Sequence, residues 1–248
     1  ILALFAAMLA GICSGYITAF LQTKMGIESI LAGIIVNTGL YTINIAVMGF
    51  ASNVNLFKCD TIFSMAKNIF GGTLYKIIVV VIIVILIGIL LSIFLITRLG
   101  LSIRATGDNA DMVRASSINP TFTITVGLCL ANSLTALSGG ILAQYQKSCD
   151  INLGTGMVTI ALASLIIGES LMGKGSMLKR VLGVVLGSCL YRFIVAIALR
   201  LNVPAECLKL VSAIIVAAAI ASPYMKNKIA FMRQKRLAIR QNRNGGVQ

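Results

Sequence analysis

Histidine is absent from these 248 residues, and only seven are acidic. Without imidazole the chain lacks the usual general base near neutral pH and the commonest metal ligand. So few carboxylates leave little material for a proton relay, which inside a membrane runs through acids and histidines. The six cysteines (Cys13, Cys59, Cys129, Cys149, Cys189, Cys207) stand singly with no C-x-x-C pair, which argues against zinc and against a redox motif. Cys13, Cys129 and Cys189 fall in apolar runs and read as small core residues. No clustered carboxylates and no cysteine–base pairing point to an enzyme, so no cofactor, metal or catalytic residue is expected.

What the chain does have is hydrocarbon. Hydrophobic residues make up 58% and charged residues 11%, against about 45–50% and about 25% in soluble domains. The class is a polytopic, all-α transmembrane bundle with no room for a soluble domain. A hydrocarbon core about 30 Å thick needs about 20 apolar helical residues, and seven segments qualify: 1–21, 27–50, 74–97, 121–143, 155–172, 181–199 and 208–223. The fifth is the shortest and most polar, and could be broken or re-entrant. Ile1 already lies inside an apolar run, so further sequence is expected upstream.

The net charge is +14. A basic balance can mark nucleic-acid binding, but basic residues that flank spans mark the cytosolic side, and no nucleic-acid partner is expected. Lys226, Lys228, Arg233, Lys235, Arg236, Arg240 and Arg243 follow the last span with no acid among them. The C-terminus is therefore expected in the cytosol, and anionic lipid would hold a tail over 224–248 by about 1 kcal/mol per charge. Alternating back through seven spans places Arg98–Pro120 and Gly173–Arg180 inside and the 51–73 loop outside.

Arg98–Pro120 is the polar exception, RLGLSIRATGDNADMVRASSINP. Gly107 breaks what precedes it, Asp108 or Asn109 can cap a following helix, and Asp111 complements its positive end. Asn119-Pro120 ends it, since the residue before proline avoids the α region. The expectation is a helix over roughly 109–118 with Ala110, Val113 and Ser117 on one face and Asp111 and Arg114 on the others. It suits a knob for a protein groove, and equally a connector lying on lipid headgroups.

LSIRATGDNADMVRASSIN, followed by FTITVGLCLANSLTALSGGILAQYQ and GMVTIALASLIIGE, resembles ABC-transporter permeases of the branched-chain amino-acid and ribose importer type, most closely the tryptophan/tyrosine-type permeases. The resemblance runs from Leu2 to Pro223, making 1–223 the permease domain. It implies that the 107–118 region is a cytosolic coupling helix inserted into an ATPase subunit. Gly107, Asn109, Ala115 and Ile118 match the family pattern, with Asp108, Asp111, Met112, Val113 and Arg114 between them, while Ser117 stands where glycine is more usual. The implied partners are an ABC ATPase, an extracytoplasmic solute-binding protein and a second permease subunit, as a homodimer in the plasma (inner) membrane. The implied solute is amino-acid-like.

An ion-coupled secondary transporter or channel is the alternative, and the scarcity of intramembrane acids disfavours it. Glu169 can pair with Lys174, Lys179 or Arg180. Gly168 to Lys174 reads GxxxxGK, but Gly175 stands where a phosphate loop needs Ser or Thr, and an apolar helix precedes it where a strand is needed. Asn37, Tyr41 and Asn44 share one helical face, Asn132, Thr135 and Ser138 form a looser stripe, and Thr155 and Thr159 another. Asn37, Tyr41, Asn44, Asn132, Thr135, Thr159 and Arg192 are the candidate path residues. Helix–helix hydrogen bonding accounts for the same stripes, and Arg192 could instead snorkel outward or pair with Glu206. Gly11-x-x-x-Gly15, Gly183-x-x-x-Gly187 and Gly139-Gly140 read as sites of close helix packing.

Overall fold

The computed structural model describes residues 2–57, 59–70, 74–154, 156–173 and 175–200, and positions 210, 213, 214 and 217. The basic tail, most of the seventh expected span, and Thr155, Lys174, Glu206 and Cys207 lie outside the described residues.

The chain is all-α. Its helices are α1 (Leu2–Thr23), α2 (Ser29–Val47), α3 (Ile62–Phe70), α4 (Tyr75–Ile96), α5 (Arg98–Asp108), α6 (Ala110–Ala115), α7 (Pro120–Gln146), α8 (Met157–Met172) and α9 (Met177–Arg200). Two short strands, β1 (Asn53–Asn55) and β2 (Ser148–Asp150), pair antiparallel, with Val54 opposite Cys149. Among the described residues, 6 helical segments are long and apolar enough to cross a membrane, and they coincide with the first six expected spans. Such a chain is an integral membrane protein. The fifth segment opens with a 3₁₀ turn at Ile151–Gly154, after which α8 runs as one helix to Met172.

The chain divides into two compact units, Ile1–Gly154 and Thr155–Gln248. In the first, the most extensive packing is between α1 and α7, and glycine permits it. A Cβ on Gly11 would lie 2.5 Å from the Asn132 carbonyl oxygen and 2.8 Å from the Ala136 Cβ. One on Gly15 would lie 2.6 Å from the Leu128 oxygen and 2.7 Å from the Cys129 Cα. Spaced by four, the two glycines share a helical face, which Ser14, Thr18 and Ala19 extend as buried residues. Of the Gly139-Gly140 pair, only Gly140 meets α1, at Leu4 and Ala7. Outward residues such as Ile82, Ile85, Leu86 and Leu90 of α4 are half exposed, as a lipid-facing helix requires.

One end of this unit is closed by α3 and the strands. Thr61 and Ser64 cap α3 reciprocally: the Thr61 N–H donates to Ser64 Oγ (2.9 Å) and the Ser64 N–H to Thr61 Oγ1 (3.1 Å). The Ile62 N–H donates to Gln144 Oε1 at 3.0 Å, tying α3 to α7. Phe63, Ala66 and Val79 form a buried cluster beneath it, and the edge of Phe63 meets Tyr145 at 5.6 Å.

The second unit, as described, is an α8–α9 hairpin. Gly168 lies against the Gly183 backbone, and Gly187 against the Ser164 oxygen and Gly168. Gly168 is therefore a mid-helix packing residue, and no strand leads into the GxxxxGK sequence. Glu169 makes no ion pair among the described residues, so the expected partners Lys179 and Arg180 do not bind it.

Gly15→Val is expected to destabilise the protein by about 1–3 kcal/mol through overpacking, while Gly139→Ala, which meets nothing within 4 Å, is expected to be neutral or slightly stabilising. Thermal unfolding in detergent checks the contrast.

Candidate functional site

The polar segment forms a structured turn between α4 and α7. Thr97 starts it: its Oγ1 accepts from the Gly100 N–H at 3.3 Å, capping α5. Gly100 lies against the Phe94 carbonyl and Leu95, where no Cβ fits, so the corner between α4 and α5 requires glycine. α5 then packs on α7, with Ile103 Cγ2 3.2 Å from the place of a Cβ on Gly127.

Two buried hydroxyls lock this packing. Thr106 Oγ1 and Thr123 Oγ1 are 2.8 Å apart, and each is also near a carbonyl, Ser102 O at 2.7 Å and Pro120 O at 2.9 Å. Two hydroxyls hold two protons, so two of these three bonds form at once. One threonine donates to its own helix and the other joins the two helices.

Asn109 is the pivot. Its N–H donates to Ala105 O at 2.9 Å, ending α5, and its Oδ1 accepts from the Asp111 and Met112 N–H groups, both at 3.0 Å, starting α6. Of the two expected caps it is Asn109 that serves. Gly107 does not break the preceding chain, because α5 continues through it to Asp108.

The expected helix over 109–118 is also shorter, ending at Ala115. The Ile118 N–H reaches Val113 O (3.3 Å) and the Ser117 N–H reaches Arg114 O (3.1 Å), the paired bonds of a Schellman ending. Ser117 sits at its left-handed position with φ 62° and so is not on a helical face with Ala110 and Val113. That conformation explains why glycine would be at home there. Asn119 then caps α7, accepting from the Thr121 N–H at 3.0 Å, with Pro120 in the first helical turn.

Of the expected coupling residues, Val113 is buried at 2% exposure and anchors α6. Gly107, Asp108, Asn109, Asp111, Met112, Arg114, Ala115 and Ile118 are exposed. Met112 presents 58% of its surface. Among the described residues Asp108, Asp111 and Arg114 form no ion pair.

The candidate path residues are not gathered into one place. Asn37, Tyr41 and Asn44 lie exposed along α2. On α7, Asn132 Nδ2 donates to Leu128 O at 2.9 Å beside the α1 contact, and Thr135 is exposed with its hydroxyl on Ala131 O. Thr159 and Arg192 are exposed on α8 and α9 of the second unit. Sequence reasoning missed Thr97, Gly100 and the Thr106–Thr123 pair, which hold the turn. Thr97 directly after an apolar run was the available signal.

A family model described as the branched-chain amino acid transport system permease component matches residues 1–220. The chain belongs to that family. It is 35% identical over 216 residues to the tyrosine transport system permease protein of Clostridioides difficile (strain R20291), covering 87% of this chain and 70% of that one. An uncharacterised protein of Rickettsia prowazekii (strain Madrid E) is 28% identical over 224 residues, covering 89% and 78%. No solved structure matches the chain. The protein is thus an integral membrane permease, the membrane component of a transport system.

Because Ser117 holds a left-handed backbone, Ser117→Gly is expected to stabilise the protein by about 1 kcal/mol, whereas Asn109→Ala is expected to cost about 1 kcal/mol by removing a helix cap. Denaturation midpoints in matched detergent check both signs.

Proposed function

We propose that this chain is the permease subunit of an ATP-binding-cassette importer and that the α5–α6 turn receives a separate ATPase subunit. One observation carries the reading: the turn is fixed by caps, a Schellman ending and a buried threonine pair, while Asp108, Asp111, Met112 and Arg114 remain exposed and the three charges form no ion pair among the described residues. A connector lying on headgroups needs no such fixation. A rigid knob with an apolar tip and flanking charges suits a protein cleft.

The energy source is then the partner's ATP hydrolysis. Glu169 is the sole acid within the six described spans, which is thin provision for ion coupling. Closure of two ATPases would drive the turn of each permease subunit, and α5 would pass the displacement to α7 through the Thr106–Thr123 contact. Two permease subunits, as a homodimer, would alternate between inward-open and outward-open states. The α5–α6 end and the C-terminus face the cytosol of a plasma membrane. An extracytoplasmic binding protein delivers the solute at the other face. The solute is amino-acid-like, a reading supported by the family description and by the tyrosine system of the relative. Asn37, Tyr41 and Asn44, which α1 does not cover, supply polar groups to the path.

Co-purification of the ATPase with the tagged permease tests the reading. The unaltered chain is expected to retain the ATPase, and combined replacement of Asp108, Asp111 and Arg114 by alanine is expected to lose most of it. If the unaltered chain retains no ATPase, the importer assignment fails. If the triple variant retains it fully, the turn is not the docking site. Separately, Asn37→Leu with Asn44→Leu is expected to reduce solute uptake about tenfold or more, as loss of polar contacts in a desolvated path would, with ATPase retention unchanged. Undiminished uptake would assign that face to helix packing.

A further inference from the structure

The helices that carry the coupling turn have a second polar feature at their other ends, about 33 Å away along the 22 residues of α4. A cavity of about 460 Å³ opens there, lined by Asp60, Lys67 of α3, Tyr75 and Lys76 of α4, and Tyr145 and Lys147 at the end of α7. Its volume is within the range of about 300–1,000 Å³ of small-molecule sites.

The lining is unusual for this chain. With charged residues at 11% of the sequence, three lysines and one carboxylate converge on one cavity. Packing does not require them, since Phe63, Ala66 and Val79 already seat α3. Lys76 lies over the Tyr145 ring with Nζ 5.1 Å from its centroid, a cation–π contact that holds the ammonium at the cavity wall. Lys67 and Lys147 have no ion-pair partner among the described residues, and neither has Asp60. Gln144 Oε1 is taken by the Ile62 N–H, which leaves only donor hydrogens on its Nε2 at the cavity wall.

Three cations facing one anion favour an anionic ligand group, and Asp60 offers the opposite charge beside them. Tyr75 and Tyr145 add aromatic surface. We propose that this cavity binds a free α-amino acid, its carboxylate on Lys67 and Lys147, its ammonium on Asp60 and its side chain against the aromatic wall. It is an outer binding site that precedes the membrane path. This inference rests on the importer reading for the side of the membrane the cavity faces. The binding itself requires only the cavity.

The test is equilibrium binding of radiolabelled L-tyrosine to the full chain in lipid nanodiscs, together with whatever subunits accompany it and without nucleotide. Saturable binding is expected. Lys67→Gln with Lys147→Gln is expected to weaken it about tenfold or more, as loss of charge-assisted hydrogen bonds does, and Lys67→Arg is expected to retain it. Both lysines line an open cavity, so neither replacement endangers folding. Tyramine, which lacks the carboxylate, and 3-(4-hydroxyphenyl)propionate, which lacks the ammonium, are each expected to compete at least about tenfold less well than L-tyrosine. No saturable binding, equal binding by the double variant, or equal competition by tyramine would each overturn the proposal. Unchanged amino-acid binding with a lost response to an added solute-binding protein would overturn it too, and would assign the lysines to an acidic protein surface. Binding of ATPase to the 107–118 turn is measured independently, so the outer site can fail while the importer reading stands.

Discussion

The backbone-to-backbone approach of α1 to α7 at Gly11 and Gly15 sets the position of α7, and α7 positions the rest of the first unit. Along its 27 residues it receives α1 in the middle, α5 and α6 near its start, and α3 and β2 near its end. In lipid no hydrophobic drive pushes helices together, so close packing and hydrogen bonds must supply the affinity. Glycine gives the α1–α7 contact enough van der Waals surface to do that. Were α7 free to rotate, Thr123 would leave Thr106, Gln144 would leave the Ile62 N–H, and both polar ends of the unit would lose their supports.

The two ends are built by different means. The α5–α6 turn is held by backbone satisfaction together with the buried Thr106–Thr123 pair and Val113: Thr97, Asn109 and Asn119 each cap a helix, and Ser117 accepts an unfavourable φ to close the Schellman ending. Such a turn stays rigid while exposing most side chains from Gly107 to Ile118. The α3 end instead uses side-chain packing around Phe63 and Tyr145, leaving a cavity with charged walls. The proposed coupling role needs stiffness, and the proposed ligand site needs volume. Both are tied to one helix about 40 Å long.

Much of this was legible in the sequence because hydrocarbon length is a strong signal. Six spans follow directly from apolar runs, and the small-xxx-small pairs marked the helix contacts, although not which helix meets which. The polar elements were harder. α5 was lost because Gly107 reads as a breaker, yet a glycine one residue from a helix end costs little there. The early stop of α6 depends on Ser117 being left-handed, which a serine does not advertise. The nine residues of α3 are too short a run to stand out from the 51–73 loop, although Thr61 and Ser64 carry its cap. The face formed by Asn37, Tyr41 and Asn44 is given by helical periodicity, but what covers it is not, since periodicity records direction and not neighbours.

Scarcity of charge also constrains how such a protein can work. A carrier that stores energy in protonation or ion binding needs charges within its spans, and the described spans hold few beyond Glu169 and Arg192. Charge sits instead at helix ends, where solvation is cheap. The proposed ATPase drive asks instead for mechanical work, applied at an end and carried by packed backbone. The features that conduct force well are the ones found here: capped helix junctions, glycine-tight contacts and one long helix common to both ends. Bulky, loosely interlocked side chains at the α1–α7 contact would absorb a displacement by changing rotamers, whereas backbone in contact with backbone has no rotamers to change.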